Sequence, residues 1–304
     1  MAPGTDQTIS TPGVLLTGAS SQIGVFAIPR LLQAGFRVVA VSRKGKPDWC
    51  PVFDQVEWLD ETGAIKASQS CRFLLSAGPM ELAEKFLETG QQFQSAVVFS
   101  SSSVETKLES DDPIERRHIQ TMLALESKLQ RGAEIKGIKL LILRPTLIYG
   151  CGLDTNISRL ANWIRRFGFM PVNGSARGLR QPVHADDLAC VAITAMLSNK
   201  PLPPLLLLGG GSTLSYAEMI CTIFEALGKP VRLIRLPEWF LLGSLHLAKI
   251  FGAGDGINNE MIKRQRTDLV FSFRPAQELL DYNPRTFDPA EEDFSLPDLS
   301  IFIG

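Results

Sequence analysis

The sequence predicts an α/β fold built on a doubly wound parallel sheet, followed by a smaller C-terminal lobe. Two observations support this prediction. A glycine-containing run at residues 17–24 directly follows the apolar residues 14–16, which is the order of a buried strand, a tight turn and the start of a helix. Apolar runs then alternate with helical patterns over the first half of the chain, as they do where helices cover both faces of a parallel sheet.

The glycine-containing run is typical of a dinucleotide-binding turn. Gly18 permits a tight turn and a close approach of backbone to a pyrophosphate, and Gly24 lets the following helix pack close to the strand. Free N–H groups at that helix end attract phosphates. Ser21 takes the place of the middle glycine of the dinucleotide fingerprint, where a small residue still allows the approach. For such a run on its own, the alternative is a tight turn without a ligand.

The residues around the run favour the ligand. A helix is predicted over residues 23–34 and a second strand over residues 36–41. Together with the first strand they form a βαβ unit of about thirty residues, the length that the fingerprint requires. We therefore predict a Rossmann-like fold with a bound dinucleotide. Its contacts in the turn are expected to be Gly18, Ser20, Ser21, Gln22, Ile23 and Gly24.

Further apolar runs complete the predicted sheet. They lie at residues 56–59, 73–76, 96–99, 140–143 and 205–208. Helices are predicted over residues 114–135, 158–167, 185–197 and 216–227, the last with a capping box of Ser215 and Glu218. We assign residues 13–150 to a dinucleotide-binding domain, whose sheet is completed by parts of 180–236. Residues 151–304 form mainly a smaller C-terminal substrate lobe.

Composition places the chain among globular proteins. It has 304 residues, 45% of them hydrophobic, and a formal net charge of -1, which gives no general field for nucleic acid. Its 5 cysteines are widely spaced and form no C-x-x-C pair, which favours reduced thiols in a cytoplasmic protein and predicts no metal site. No apolar run approaches the roughly 18 residues of a membrane span. We expect a small-molecule partner, with neither nucleic acid nor a transmembrane segment.

Ligands bind at the carboxyl ends of the strands in open parallel sheets. After the second strand the sequence has Arg43 and Lys44, where NAD-binding proteins usually place an acid that bonds the ribose 2′-hydroxyl. Two cations suit a 2′-phosphate, so NADP is favoured as the cofactor, with NAD as the alternative; an ordinary basic loop would give the same residues. Asp60, at the end of the third strand, either accepts from the adenine amino group or caps a helix.

Small residues follow the fourth and fifth strands. Ser76, Ala77 and Gly78 suit a backbone that lies flat along a cofactor. Four serines begin at Ser100, and their hydroxyls could bond a carbonyl or a ribose, although such clusters also occur in loops without a site. We count Ser76, Ala77, Gly78 and Ser100 among the predicted cofactor contacts.

Several longer motifs resemble those of one known family. They are TGASSQIG at 17–24, FSSSSV at 99–104, LRPTLIYG at 143–150, RQPVHADDLA at 180–189 and GGGSTLSYAEM at 209–219. In this order they resemble the extended short-chain dehydrogenase/reductases, the NAD(P)-dependent epimerase/dehydratase family. The resemblance implies hydride transfer on a nucleotide sugar or a related carbonyl compound. It also implies a cofactor contact at Pro145, and proton transfer by a Tyr-x-x-x-Lys pair on the helix after strand five.

The chain departs from the family at this pair, which makes it an atypical member. Counting back from Glu126 places His118 at the tyrosine position and Met122 at the lysine position. Imidazole titrates near neutral pH, so His118 is a candidate for proton transfer, although a histidine without a catalytic role is the favoured interpretation. Counting along the FSSSSV motif keeps the substrate-orienting hydroxyl at Ser101, with Ser102 beside it as a substrate contact.

The second half supplies further candidate substrate contacts. The resemblance implies that Arg180 contacts a diphosphate, for which a guanidinium fork is well suited, and that Asn156 lies where the family grips its substrate. Asp186 and Asp187 are predicted to cap a helix. His184 belongs either with these structural residues, which is favoured, or with the site.

An apolar segment at residues 237–251, PEWFLLGSLHLAKIF, is predicted to form a helix. Core packing is its expected role. The alternatives are a cover over the substrate pocket, a homodimer surface or contact with a membrane face.

Two functions remain open. The favoured one is an NADP-dependent oxidoreductase or epimerase that acts on a nucleotide sugar, since Ser101 and Arg180 are retained. The alternative is a dinucleotide-binding regulator, redox sensor or assembly factor without turnover, which the absence of the tyrosine and lysine would explain.

Overall fold

The computed structural model describes residues 11–250 and 259–296. The strands in chain order are β1 (Gly13–Thr17), β2 (Arg37–Val41), β3 (Val56–Leu59), β4 (Cys71–Ser76), β5 (Ser95–Phe99), β6 (Lys139–Pro145), β7 (Ile148–Tyr149), β8 (Met170–Asn173), β9 (Leu179–Arg180), β10 (Val183–His184), β11 (Leu205–Leu208), β12 (Leu214–Ser215) and β13 (Leu233–Leu236). Seven of them form one sheet in the order β11-β6-β5-β4-β1-β2-β3, with every pairing parallel. The predicted sheet is confirmed, because each of its strands overlaps one of the seven apolar runs.

Helices cover both faces of this sheet. In chain order they are α1 (Gln22–Gln33), α2 (Glu61–Ala67), α3 (Met80–Glu88), α4 (Ser103–Thr106), α5 (Pro113–Lys136), α6 (Ile157–Phe167), α7 (Ala185–Leu197), α8 (Tyr216–Ala226), α9 (Glu238–Ile250), α10 (Asn259–Arg264) and α11 (Arg274–Leu280). The apolar side chains of α1 and α7 form a core with one face, and those of α3 and α5 form a core with the other. The predicted Rossmann-like, doubly wound arrangement is therefore present.

Local chemistry explains the bounds of α5, the longest described helix. The carboxylate of Asp112 accepts from the backbone N–H groups of Ile114 and Glu115. Pro113 occupies the first turn, where its missing N–H costs nothing. Gly137 ends the helix in the left-handed conformation, with φ of 66°. These three signals fix the helix between β5 and β6.

The order of the strands creates a crevice at the carboxyl edge of the sheet. β1 lies between β2 and β4, and the chain runs from β1 through β2 to β3 before it crosses back to β4. The connections after β1 and β4 therefore leave in opposite directions, which opens a crevice between the ends of these two strands. The glycine turn follows β1 at this point.

The second half of the chain contributes both to the sheet and to a separate core. β11 pairs with β6 and completes the sheet. Three two-stranded sheets, β7 with β10, β9 with β12, and β8 with β13, surround α6 and α8, whose buried side chains form a third core. The domain boundary near residue 150 stays a prediction. Parts of the predicted lobe, residues 251–258 and 297–304, lie outside the described residues.

The apolar segment predicted as a helix corresponds to α9, apart from residue 251, which is not described. Leu241 is buried, but Trp239 is 73% exposed and Phe240 is 46% exposed. Core packing therefore does not account for the start of this helix. Among the described residues, no helix is long and apolar enough to cross a membrane.

Candidate functional site

The turn between β1 and α1 has the geometry that its glycines predict. Gly18 has a φ of +66°, and a Cβ there would lie 2.3 Å from the backbone nitrogen of Gly78. A Cβ on Gly24 would lie 2.4 Å from the carbonyl oxygen of Gly18. Ser21 caps α1, because its Oγ accepts from the Gly24 N–H at 3.2 Å. Serine in the middle position therefore stabilises the helix end whose N–H groups face a ligand.

The ends of β1 and β4 meet beside this turn. Thr17 Oγ1 donates to Ser76 Oγ at 2.8 Å, and the Ala77 N–H donates to the Thr17 carbonyl oxygen at 2.9 Å. Among the described residues, the side-chain oxygen of Gln22 is buried without a hydrogen-bond partner. A buried acceptor of this kind is normally satisfied. The glycine contacts and the unsatisfied Gln22 oxygen thus fit a dinucleotide that lies across the crevice.

The end of β2 carries two available cations. Arg43 and Lys44 are exposed, and neither side chain has a hydrogen bond or ion pair within the described residues. The backbone N–H of Lys44 approaches Ser42 Oγ at 3.4 Å, which folds the loop back on itself. Two free cations beside the crevice have the charge that a ribose phosphate requires.

Asp60 caps a helix, one of the two roles expected for it. Its Oδ1 accepts from the Gly63 N–H at 2.8 Å at the start of α2. A carboxylate has a second oxygen, so capping does not exclude the predicted contact with adenine.

The serines after β5 have distinct surroundings. Ser100 donates to the carboxylate of Glu126 on α5. Ser101 Oγ lies 2.8 Å from Ser103 Oγ and accepts from the Ser103 N–H at 3.1 Å. Ser102 is buried, and its N–H donates to the carbonyl oxygen of Pro145 at 3.0 Å. The Ser101 hydroxyl has only another hydroxyl and one N–H as partners, so no charged group competes with a substrate for it.

A buried ion pair holds α5 against this end of the sheet. The guanidinium of Arg144, on β6, pairs with both oxygens of Glu126 and also contacts Glu105. The Glu126 side chain is 4% exposed and that of Arg144 is 11% exposed. In the sequence, Glu126 served only as the reference point for the positions of His118 and Met122. The sequence carried no signal for its partner on β6.

The face of α5 that follows the serines lacks a tyrosine and a lysine. His118 is exposed and Met122 is half-buried against the core of that sheet face. The one lysine in the middle of the helix, Lys128, pairs instead with Glu84 and Glu88 on α3. Within the described residues, His118 is thus the titratable side chain at the position of the expected pair.

Tyr149 packs in the interior and is not a substitute for the missing tyrosine. It is 1% exposed, and its ring contacts the rings of His184 and Phe287 at centroid distances of 5.1 and 5.0 Å. Burial raises its pKa far above the usual range. A phenol of this kind does not exchange a proton near neutral pH.

Arg180 is buried, and its guanidinium donates only to backbone carbonyls. These belong to Leu179 at 2.7 Å, Thr267 at 2.8 Å and Arg264 at 2.6 Å. The guanidinium also lies over the ring of Tyr216, and burial lowers the pKa of the arginine. No described carboxylate forms an ion pair with it. A buried cation without an anionic partner has a reason to bind an anion.

The other predicted substrate residue, Asn156, is exposed at the start of α6. Its backbone N–H donates to Asp154 Oδ1 at 3.0 Å, and the same oxygen accepts from the Ser158 N–H at 2.9 Å. Asp154 therefore caps this helix end, and the Asn156 side chain forms no capping hydrogen bond. The substrate contact of Asn156 stays a prediction.

His184 and the two following aspartates are structural, but not in the way expected. The helix cap is His184, whose Nδ1 accepts from the Asp186 N–H at 3.1 Å, while its Nε2 lies 3.1 Å from Asp293. Asp186 pairs with Arg30 and Arg285, and Asp187 also pairs with Arg285. The predicted capping by the aspartates is wrong, because the arginines engage both carboxylates.

Comparison with known proteins gives a consistent result. No family model matches the chain. A UDP-glucose 4-epimerase from Vibrio cholerae is 23% identical over 218 residues, which cover 69% of this chain and 63% of that protein. The UDP-glucuronic acid 4-epimerase from Bacillus cereus, solved with UDP-glucuronic acid and NAD, matches at a TM-score of 0.69 and 17% identity, over 93% of this chain and 98% of that one. The UDP-glucose 4-epimerase from Thermotoga maritima, solved with UDP-glucose, matches at 0.67 and 14% identity, over 96% and 100%.

In sequence and in fold, the chain is thus similar to UDP-sugar 4-epimerases. The resemblance to the NAD(P)-dependent epimerase/dehydratase family is thereby confirmed, as is the predicted fold. The solved relatives are less than a quarter identical and establish the fold alone. The chain spans less than two thirds of the length of the Vibrio relative, so activity and substrate are taken up below as proposals.

Proposed function

We propose that the chain binds a nicotinamide dinucleotide and a nucleotide sugar, and that it transfers hydride at a carbon of the sugar as an epimerase or oxidoreductase. The observation that carries this proposal is the glycine turn at the crevice between β1 and β4, with the unsatisfied Gln22 oxygen beside it. The relatives from Bacillus cereus and Thermotoga maritima were solved with UDP sugars, and the first of them also with NAD. A bound nicotinamide supplies the hydride donor or acceptor.

The proton must come from this chain's own side chains or from water. Hydride movement at a carbinol or ketone changes the charge on its oxygen, so a group that titrates near neutral pH assists it. His118 is the candidate for this role, since it is exposed on the helix face that would carry the family's tyrosine. Ser101, whose hydroxyl has only weak partners, would orient the oxygen. We assign both residues as catalytic.

The other predicted site residues divide into cofactor contacts and substrate contacts. Gly18, Ser20, Ser21, Gln22, Ile23, Gly24, Asp60, Ser76, Ala77, Gly78, Ser100 and Pro145 would line the cofactor. Ser102, Asn156 and Arg180 would contact the substrate. Arg180 supports a nucleotide diphosphate, because phosphate oxygens would supply the anion that its buried guanidinium lacks.

The purified chain is expected to bind UDP-glucose and to turn over nucleotide sugars with a nicotinamide cofactor. The measurement is titration with NADPH, NADH and a panel of nucleotide sugars, followed by cofactor absorbance and product analysis. His118→Phe should lower kcat by about a hundredfold, within the range that general acid–base catalysis contributes.

Two outcomes would contradict this account. Cofactor binding without any sugar binding or turnover would favour a regulator that senses the dinucleotide. Undiminished turnover in His118→Phe would remove the histidine from the mechanism and leave proton transfer to water.

NADP is the cofactor that the free cations after β2 favour. Arg43→Ala is expected to weaken NADPH binding by about tenfold and to leave NADH binding unchanged, since only NADPH carries the 2′-phosphate. Arg131→Ala, which removes an exposed cation near the far end of α5, is the matched control. Tighter binding of NADH than of NADPH by the unaltered chain would overturn the assignment in favour of NAD.

A further inference from the structure

Glu115 is the centre of a cluster of four polar side chains, the Glu115 cluster. Its carboxylate pairs with Arg264 at 2.7 Å and with Lys107 at 3.0 Å, and it accepts from Ser110 Oγ at 2.6 Å. The Glu115 side chain is 11% exposed and that of Arg264 is 16% exposed. Burial opposes the charge on Glu115, but the hydrogen bonds from Arg264, Ser110 and Lys107 outweigh it and lower its pKa to about 2. The carboxylate is therefore charged at neutral pH.

The Glu115 cluster joins the two halves of the molecule at the edge of the sheet where ligands bind. Lys107, Ser110 and Glu115 lie between β5 and the first turn of α5, which starts at the carboxyl edge of the sheet because it follows β5. Arg264 ends α10, which packs against α9 and β8 in the second half of the chain. A second ion pair, between Lys263 and Asp111 at 3.1 Å, lies next to the Glu115 cluster and is exposed to solvent.

The same stretch that carries Arg264 is also bound to Arg180. We call residues 259–269 the bridging segment. Arg180 donates to its carbonyls at Arg264 and Thr267, and the Gly178 N–H donates to the Gln265 carbonyl oxygen at 3.0 Å. The bridging segment thus has two anchors. The first is a set of hydrogen bonds to the second half of the chain, at Asn173, Gly178, Leu179 and Arg180. The second is the side-chain ion pair to α5.

The second anchor lies one helical turn from the proposed catalytic histidine. Glu115 and His118 are three residues apart, so they occupy neighbouring positions on one side of α5. The first turns of α5 make few apolar contacts of their own, since Ile114 is 81% exposed and Ile119 is the first buried side chain. The polar contacts of Glu115 therefore help to hold the turn of α5 that carries His118.

We propose that Glu115 and Arg264 are positioning residues that hold the bridging segment, and with it Arg180, against α5 when a nucleoside diphosphate occupies Arg180. This inference rests on the proposed function. The first anchor keeps the segment joined to Arg180 and its neighbours, because the bonds from Asn173 and Leu179 do not involve the guanidinium. The ion pair with Glu115 then keeps Arg180 in place relative to α5 and so retains the ligand.

The test compares Glu115→Gln with Glu278→Gln, which removes a surface ion pair with Arg274 at 2.7 Å on α11. Glu115→Gln is expected to weaken UDP and UDP-glucose binding by about tenfold, in the usual range for coupled sites, with NADPH binding unchanged. Hydrogen exchange should show that UDP protects the bridging segment in the unaltered chain and in the control, but not in Glu115→Gln.

Other results would distinguish a failure of the positioning role from a failure of the proposed function. Equal UDP binding in Glu115→Gln and the control would overturn the positioning role. So would a parallel loss of UDP and NADPH affinity, which would indicate a general loss of structure. If the unaltered chain binds neither UDP nor UDP-glucose, the proposed function fails. In that case hydrogen exchange without ligand still tests the ion pair of Glu115 as an anchor. Exchange rates in residues 259–269 that are the same in Glu115→Gln and in the unaltered chain would overturn that role.

Discussion

Gly24→Ala is expected to weaken dinucleotide binding by roughly 10- to 100-fold, the equivalent of about one charge-assisted hydrogen bond. The added Cβ would lie 2.4 Å from the Gly18 carbonyl oxygen and 2.5 Å from that of Ala19. Both are backbone atoms, so α1 must move away from the end of β1. Its N–H groups then no longer face the crevice. Overpacking of this kind also lowers the free energy of unfolding by about 1–3 kcal/mol.

Titration with NADPH and chemical denaturation would measure the two effects. Gly132→Ala is the matched control, since it is also a helical glycine and a Cβ there would meet nothing within 4 Å. The control should be slightly stabilised, by about 0.5–1 kcal/mol, because alanine suits a helix interior better than glycine. If Gly24→Ala bound NADPH as tightly as the control, the turn between β1 and α1 would not be the phosphate site.

Glu126→Ala is expected to lower the free energy of unfolding by about 3–5 kcal/mol, the usual cost of removing one partner from a buried ion pair. Arg144 would keep only Glu105, whose side chain is 37% exposed. Ser100 would lose its acceptor as well. Chemical denaturation of the variant measures the loss directly.

Two further variants test the reason for this effect. Glu105→Ala removes the exposed partner and should cost less than about 1 kcal/mol. The double change Glu126→Leu with Arg144→Met removes both buried charges and should recover most of the stability, since no uncompensated charge remains. A double variant as unstable as Glu126→Ala would show that the shape of the side chains matters more than the charge.

The sequence predicts the central sheet well because its signals are local. Each of the seven strands is a short apolar run, and α5 has its cap at Asp112 and its stop at Gly137 within the same stretch of chain. The turn at Gly18 also depends on neighbours in sequence. Features of this kind need no knowledge of distant residues.

The candidate site was less predictable because its contacts join distant parts of the chain. Glu115 and Arg264 are 149 residues apart, and neither lies in a motif. His184 rather than Asp186 caps α7, because Arg30 and Arg285 approach the aspartates from opposite ends of the chain. Sequence patterns report which residue types are present. They do not report which charges meet.

The pairing of β11 with β6 affects the order in which the protein can be completed during synthesis. A ribosome releases residues 139–145 long before residues 205–208, so β6 remains an open sheet edge while the intervening chain is made. Arg285, the ion-pair partner of Asp187, is synthesised later still. The central sheet is therefore complete only after residues 205–208 have left the ribosome, and a nascent chain halted earlier leaves the edge of β6 unpaired.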